Sequence, residues 1–437
     1  MLLHGPCSRY TYPEPMTRFR TGTAGVTALL MLAACGGAST DEPTGPPPAP
    51  VEATASGPDE PTGPEAGTKG TDDGETTTAP AEPEPTDDAR GELSVTIGAA
   101  GDLLPHASVI ASAAANAGGA GGDYDFGPMF ADVADLLSTA DLTLCHLETP
   151  LSSDNTGLTV PRVLAFNTPY QLAEALAEVG FDGCEFASNH TMDRGLEGLT
   201  DTEQVVRDAG LGYAGPTAQE DRAGRPEVYE AAGASVAHLA YTYTYPNDGS
   251  PTMVVPGEAP WLERNLWPAV GAEGILDDAA TARDDGADFV VVSMHWGQEY
   301  VTEPTPDQRR IAAELLESDE VDLVLGTHVH VIQPCEQING KHVLYGMGNF
   351  LSNQSPDTTA GGLRPETQEG MVAQVTLSRD QDGQVTSELQ VQPTRVDLDG
   401  HVVRLATPEQ SAETYRRTMD TMSALGDGSC EAAPLSR

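Results

Sequence analysis

VDLVLGTHVHVIQP, residues 321–334, runs from an apolar-rich segment into Gly326 and then sets His328 and His330 either side of Val329. A short apolar run closed by a turn signal reads as a buried strand, and the two histidines fall where that strand should end. On an extended turn, residues two apart can each offer a ring nitrogen to one neighbouring ion. A helix would need them three or four apart.

Working outward, the same layout recurs. LSVTIGAAGD (93–102), DLTLCHLETP (141–150), FDGCEFASNH (181–190), segments within 227–245, ADFVVVSMHWG (287–297) and VDLVLGTHVH (321–330) read as strands. Between them PMFADVADLLSTA, PYQLAEALAEVG, GLEGLTDTEQVVRDAG, ILDDAATARDDG and DQRRIAAELLES have helical periodicity. Alternating strands and helices imply an α/β sheet structure covered by helices. After His330, KHVLYGMGNFLS, MVAQVTLSR and SELQVQPTRVDLD predict antiparallel strands, and no internal repeat is visible.

Polar residues of metal-binding type stand where the strands stop: Asp102, Glu148, Asn189 with His190, His295, and His328 with His330. In open α/β sheets the carboxyl ends of strands converge on one crevice, so residues more than two hundred positions apart can meet there. Imidazole, carboxylate and amide oxygen without thiolate suit a pair of divalent ions such as manganese, zinc or iron. Two such ions roughly 3.5 to 4 Å apart can share a hydroxide nucleophile.

GDLLPH, LETPLS, ASNHTMDRG, HWGQEY, GTHVHVIQP and YGMGNF occur in the order and context of the CapA (PgsA) family of poly-γ-glutamate capsule biosynthesis proteins, which the chain resembles over about residues 93–352. That resemblance implies a calcineurin-like metallophosphoesterase-type sandwich of mixed β-sheets flanked by helices. It also implies that Asp102, Glu148, Asn189, His295, His328 and His330 are metal ligands, with Glu148 bridging. His190 takes the place of a general acid and Asp193 that of the residue orienting it. Three positions depart from the pattern. Leu104 stands where a metallophosphoesterase has a His two residues after its first Asp, with His106 close by; the middle carboxylate is Glu148 and not Asp; and His146 replaces the family's usual Asn before Leu-Glu.

Each neighbouring residue has a plainer reading. His146 shares a strand face with Glu148 and is either a ligand or a packing residue. Trp296 reads as wall packing in preference to substrate stacking, and Glu299 as an acid or base or as a rim carboxylate. Asn349 reads as a turn residue fixing a loop near the site. His238, His342 and His401 read as structural, and the tyrosine alternation at 241–246 as a strand and not an aromatic binding stripe.

Residues 1–35 read as a signal peptide, with Met16 a more natural start than Met1. Arg18 and Arg20 precede an uncharged run, and Leu32-Ala33-Ala34-Cys35 forms a bacterial lipobox. Lipidation of Cys35 would anchor the protein to the outer face of the cell membrane. Residues 36–92, rich in Pro, Thr, Glu and Asp, cannot bury enough apolar surface to offset ordering entropy and read as a disordered linker. Residues 93–425 then form the folded domain and 426–437 a tail. The net charge of −45, with lysine only at positions 69 and 341, excludes nucleic acid as a partner. Four cysteines remain outside the cytosol, and Cys145, Cys184, Cys335 and Cys430 allow three pairings. Cys145–Cys184 with Cys335–Cys430 is the working expectation, which requires Cα atoms within about 7 Å.

Three functions fit. The first is a lipid-anchored protein of poly-γ-glutamate synthesis or export, working with capsule synthesis membrane proteins. The second is a metal-dependent hydrolase of phosphoester or amide bonds in a cell-surface polymer, and the third is a non-catalytic metal-dependent binding module. A general acid beside the metals favours activity, because binding alone needs no proton donor.

Overall fold

The computed structural model describes residues 92–119, 123–247, 254–358, 362–426 and 428–435. The signal segment, Cys35 and all but the last residue of the linker lie outside them, and no helix among the described residues is long and apolar enough to cross a membrane.

Two mixed sheets pack face to face. In the first, the strands run in spatial order Val402–Leu405, Val385–Asp397, Glu369–Arg379, Leu93–Leu104, Leu142–Leu147, Gly183–Glu185 and Gly212–Ala214. From Leu93–Leu104 onward these strands are parallel, and the three before it are antiparallel. The second sheet runs Cys335–Ile338, Lys341–Leu344, Leu323–Thr327, Phe289–His295, Ala234–Thr242 and Glu227–Ala231, with four parallel central strands. Its Phe289–His295 strand is buried at every residue. That explains why FVVVSM is a continuous apolar run: both faces of a parallel strand are covered.

Alternate residues of these strands serve different layers. Val95, Ile97, Leu142 and Leu144 of one sheet meet Val236, Phe289, Val291, Leu323 and Leu325 of the other. Val290, Val292 and Val324 face outward onto Ile275, Ile311 and Leu315, which belong to helices Trp267–Asp284 and Pro306–Glu317. On the outer face of the first sheet, Leu103, Leu147 and Phe186 pack with Val109, Leu172 and Leu199 from helices Ala107–Asn116, Gln171–Glu178 and Gly195–Asp208. The result is a four-layer sandwich, helices outside and sheets inside. Each fully buried Val, Leu or Phe contributes about 1.5 to 3 kcal/mol. The start of helix Pro306–Glu317 is specified locally: Thr305 accepts from the Gln308 backbone at 3.2 Å, and the Gln308 side chain accepts from the Thr305 backbone at 2.8 Å. This reciprocal cap satisfies two otherwise unpaired amides.

Several local expectations are revised. PMFADVADLLSTA forms two short helices, Gly127–Phe130 and Ala134–Leu137, with Met129, Phe130, Val133 and Leu137 all turned inward. The strand predicted to stop at Asp102 continues to Leu104, with a register shift between Asp102 and Leu103. The segment after His330 is not wholly antiparallel: Lys341–Leu344 runs parallel to Leu323–Thr327, and Asn349–Ser352 runs parallel to Leu93–Leu104. The chain therefore crosses from the second sheet to the first between Leu344 and Asn349. That crossing sets Asn349 opposite Asp102.

Both expected cystine bridges are present, with Cα separations of 4.4 Å for Cys145–Cys184 and 5.4 Å for Cys335–Cys430. Residues 432–434, within the expected tail, add a strand beside Val385–Asp397.

Candidate metal centre

Every strand that carries a candidate ligand delivers it to the same end of the sandwich. Glu148 follows Leu142–Leu147, Asn189 and His190 follow Gly183–Glu185, His295 ends its strand, and His328 with His330 follow Leu323–Thr327. All are buried. Two donor groups result: Glu148, His295 and His328 offer ligand atoms within 4.8 Å of one another, and so do Asp102, His146 and Glu148. Glu148 belongs to both.

The histidine pair reaches the site through an unusual backbone. His328 has φ 89° and His330 φ 57°, a region disfavoured for residues with a side chain and found where surrounding structure holds it in place. Asp102 holds this loop: its Oδ1 accepts from the His328 amide at 3.3 Å and its Oδ2 from His330 Nδ1 at 3.0 Å. Asn349 Oδ1 lies 3.1 Å from the same nitrogen, while Asn349 Nδ2 donates to Gln354 and to the Thr367 carbonyl. With Nδ1 engaged twice, His330 presents Nε2, which is 3.5 Å from Glu148 Oε1 and 4.0 Å from Glu299 Oε1. Glu299 itself is on the rim, with 42% of its side chain exposed.

The test of whether metal suits these residues lies in what they leave unpaired. His146 Nε2, His328 Nδ1 and both Glu148 carboxylate oxygens are buried with no hydrogen-bond partner in the protein. Stranding a buried polar atom costs about 1 to 3 kcal/mol, and more for a charged one, so a cluster of such atoms facing one another fits a cation. The donor set of imidazole and carboxylate agrees.

Electrostatics divide the histidines. Burial and the neighbouring imidazoles hold His295 and His328 well below the ordinary value, hence neutral and able to donate a lone pair. Burial also opposes charge on His330 and His146. Glu148 and Asp102 nevertheless raise the first to about 10, and Glu185 the second to about 9. Burial pushes Glu148 up to about 8, with His330 pulling it down and Asp102 adding to the rise. The carboxylate field that would keep a proton on His146 and His330 also attracts a cation.

Asn189 Oδ1 lies 3.1 Å from His295 Nε2, and its amide donates to Asn247. His190 stands beside the donors with Nδ1 2.8 Å from Asp193 Oδ2, and the Phe166 backbone amide donates to the same oxygen at 2.6 Å. The Phe166 ring meets His190 edge-on at 4.6 Å and His106 at 5.1 Å. His106 lies on this side of the site, its Nδ1 on the Leu104 carbonyl, and belongs to neither donor group. Burial and the charges of His330 and His190 lower it to about 4, although the Leu104 carbonyl works the other way. Trp296 is fully buried and donates to the Tyr345 carbonyl, as wall packing requires. His238, His342 and His401 bond to Ser293, Ser387 and Ser112 and join no donor group.

Two site residues escape the sequence reading. Tyr243 lies just past the strand that ends at Thr242, and its ring is 4.8 Å from His328 and 6.1 Å, nearly parallel, from His295. The tyrosine alternation therefore does include a residue of the site. Glu185 is buried and its Oε1 contacts His146 Nδ1. The signal for it was a lone carboxylate in an otherwise apolar strand, CEFA.

A four-layer α/β sandwich that gathers buried histidines and carboxylates at its strand ends defines a protein with a metal-type site. The chain belongs to the bacterial capsule synthesis protein PGA_cap family, whose model matches residues 96–354, more than half of its length, as the six motifs implied. It is 26% identical over 231 residues to the PGA biosynthesis protein CapA of Bacillus subtilis, covering 52% of this chain and 57% of that one. To the capsule biosynthesis protein CapA of Bacillus anthracis it is 27% identical over 240 residues, covering 54% and 55%. The chain thus spans a little over half the length of these relatives. Among solved structures it is similar to the calcineurin-like phosphoesterase YfkN of Bacillus subtilis, with 14% identity, a TM-score of 0.37 and coverage of 75% of this chain and 97% of that one.

Proposed function

We propose that this protein acts in poly-γ-glutamate capsule biosynthesis as a lipid-anchored protein on the outer face of the cell membrane. In this reading it uses two divalent cations, with Glu148 between them, to hydrolyse an amide or phosphoester bond of the surface polymer. The observation that carries the reading is the sharing of Glu148 by two buried donor groups.

Asp102 and His146 would hold one cation with Glu148, and His295 and His328 the other. His330 Nε2 lies 3.5 Å from Glu148 Oε1, and the Asn189 amide oxygen 3.1 Å from His295 Nε2. When bound, the cations supply Lewis acidity and lower the pKa of a coordinated water. His190 is the proton donor: Asp193 holds its Nδ1 and fixes the ring, which leaves Nε2 to protonate a leaving group. Cationic charge at the centre also addresses the electrostatic difficulty, since a chain of net charge −45 repels an anionic polymer at long range. A local positive field at the crevice would draw the polymer to this one place.

The test uses the purified full chain, dialysed and then assayed for bound metal and for cleavage of phosphodiester and γ-glutamyl amide substrates. About two cations per chain and turnover that His190→Ala slows by about 10² to 10⁴-fold are the expected result. A chain that takes up no divalent cation overturns the reading, and one that binds cations without turnover of either substrate class reduces it to a binding module. For the anchor, Cys35→Ser should appear unprocessed or in the soluble fraction; a variant still membrane-bound and lipid-labelled rejects it.

A further inference from the structure

We propose that Glu185, on the neighbouring strand, orients His146 so that its Nε2 serves as a metal ligand of this centre. The inference rests on the metal reading above.

Four observations converge. The strands Leu142–Leu147 and Gly183–Glu185 are parallel neighbours, and their register places His146 opposite Glu185. Glu185 Oε1 contacts His146 Nδ1, and Glu185 Oε2 accepts from the Ala187 amide at 2.7 Å, so the carboxylate is held at both oxygens. With Nδ1–H donated to Glu185, the lone pair of His146 is on Nε2, and Nε2 is buried with no hydrogen-bond partner in the protein. A ligand atom of His146 also lies within 4.8 Å of ligand atoms of Asp102 and Glu148. Carboxylate, imidazole and metal in line is a general arrangement: the carboxylate fixes tautomer and ring orientation and increases the basicity of the coordinating nitrogen.

The alternatives fit less well. His238 and His342 also leave one ring nitrogen buried without a hydrogen-bond partner, but neither stands with carboxylates in a donor group as His146 does. A plain ion pair would satisfy Glu185 equally well but leaves Nε2 buried with no hydrogen-bond partner beside Asp102 and Glu148 in the same donor group. His106, the other imidazole near Leu104, is turned to the Leu104 carbonyl and to Phe166.

Glu185 is a positioning residue, and it predicts a graded pattern. The test is metal binding by the full chain, followed by competition against a chelator and by the visible absorption of the cobalt-loaded protein. Glu185→Gln keeps the size of the side chain but weakens the orienting bond, and should lower affinity for one of two cations about 10- to 100-fold. His146→Ala should lose that cation, and free imidazole added to His146→Gly should restore it. Both variants should change the cobalt spectrum. If wild type holds two cations and Glu185→Gln and His146→Ala hold both with unchanged affinity and spectrum, this inference fails and the metal reading stands. If wild type holds none, both fail. Should His146→Ala not fold, Glu185→Gln decides alone: unchanged affinity and spectrum overturn the inference.

Discussion

Cys145 and Cys184 are joined one residue before His146 and Glu185, on the same two strands and in the same register. Side chains alternate along a strand, so the bridge sits among the helix-facing apolar residues while the histidine and the carboxylate face the candidate metal centre. A covalent staple thus fixes the register on which the His146–Glu185 contact depends.

Removing this staple should affect both stability and metal retention. Loss of a bridge spanning 39 residues costs about 3 to 4 kcal/mol in the chain-entropy account. The Cys145→Ala, Cys184→Ala double variant should also release metal faster on dialysis. The Cys335→Ala, Cys430→Ala variant should lose comparable stability and keep its metal, because the Cys335–Ile338 strand carries no donor. Equal metal retention in the two double variants would reject the link between the first bridge and the site.

His330 and His190 should give separable phenotypes. His330 Nε2 faces Glu148, and its Nδ1 is held by Asp102 and Asn349. His330→Ala should therefore lower metal content. His190→Ala should retain the metals and slow turnover by about 10² to 10⁴-fold, most for substrates with poor leaving groups. Asp193→Asn should resemble a weaker His190→Ala. Equal metal content in wild type and His330→Ala after dialysis would refute the ligand assignment, and full activity in His190→Ala would refute the acid.

Gly101 stands where the two sheet systems meet the site, and a Cβ there would lie 2.1 Å from the Gly348 carbonyl oxygen and 2.8 Å from that of Met347. The same Gly348 oxygen accepts the Asp102 amide at 2.8 Å. Gly101→Ala must push the Asn349 strand off Asp102. It should destabilise the protein by about 3 kcal/mol or more and reduce metal content with it. Denaturant melts of wild type and variant check this, and superimposable melts would mean the backbone yields more easily than the geometry allows.

Acid stability should depend on His238, far from the sequence motifs and bonded through Nε2 to Ser293 at 2.8 Å. Burial lowers its pKa from 6.5 to about 3. A depressed folded value means that folding favours the neutral ring. The stability it contributes is complete above pH 6.5 and declines as pH falls from 6.5 toward 3, by up to about 1.4 kcal/mol per pH unit. His238→Gln should be less stable than wild type at pH 7, and the gap should narrow by pH 4.5. Urea midpoints at the two pH values measure it, and a constant gap would show that the ring takes up a proton as readily in the fold as in the unfolded chain.

Much of this was legible without a structure. Apolar runs such as FVVVSM and VDLVLG are long enough, and bounded clearly enough, to be strands wherever they are packed. Polar donors at their ends, from Glu148 to His330, are visible because a strand end is a local property of the sequence, although the strand of Asp102 runs on to Leu104. So is the acidic, Pro-rich stretch that cannot form a core. What the sequence did not decide was which residues on different strands lie opposite one another. Register between strands is set by packing of whole layers, and a shift of one residue reverses every side chain. For that reason the sequence leaves His146 ambiguous, gives Glu185 no role and reads Asn349 as a turn residue, whereas the crossing between sheets sets Asn349 opposite Asp102. Tyr243 was read as part of a strand because nothing local shows that the strand stops at Thr242. The left-handed backbone of His328 and His330 is likewise a tertiary outcome. Contacts from Asp102 and Asn349, more than two hundred residues away and nineteen residues away respectively, and from the Tyr300 amide, which donates to the Val329 carbonyl at 2.8 Å, hold the loop there against the steric cost of its own side chains.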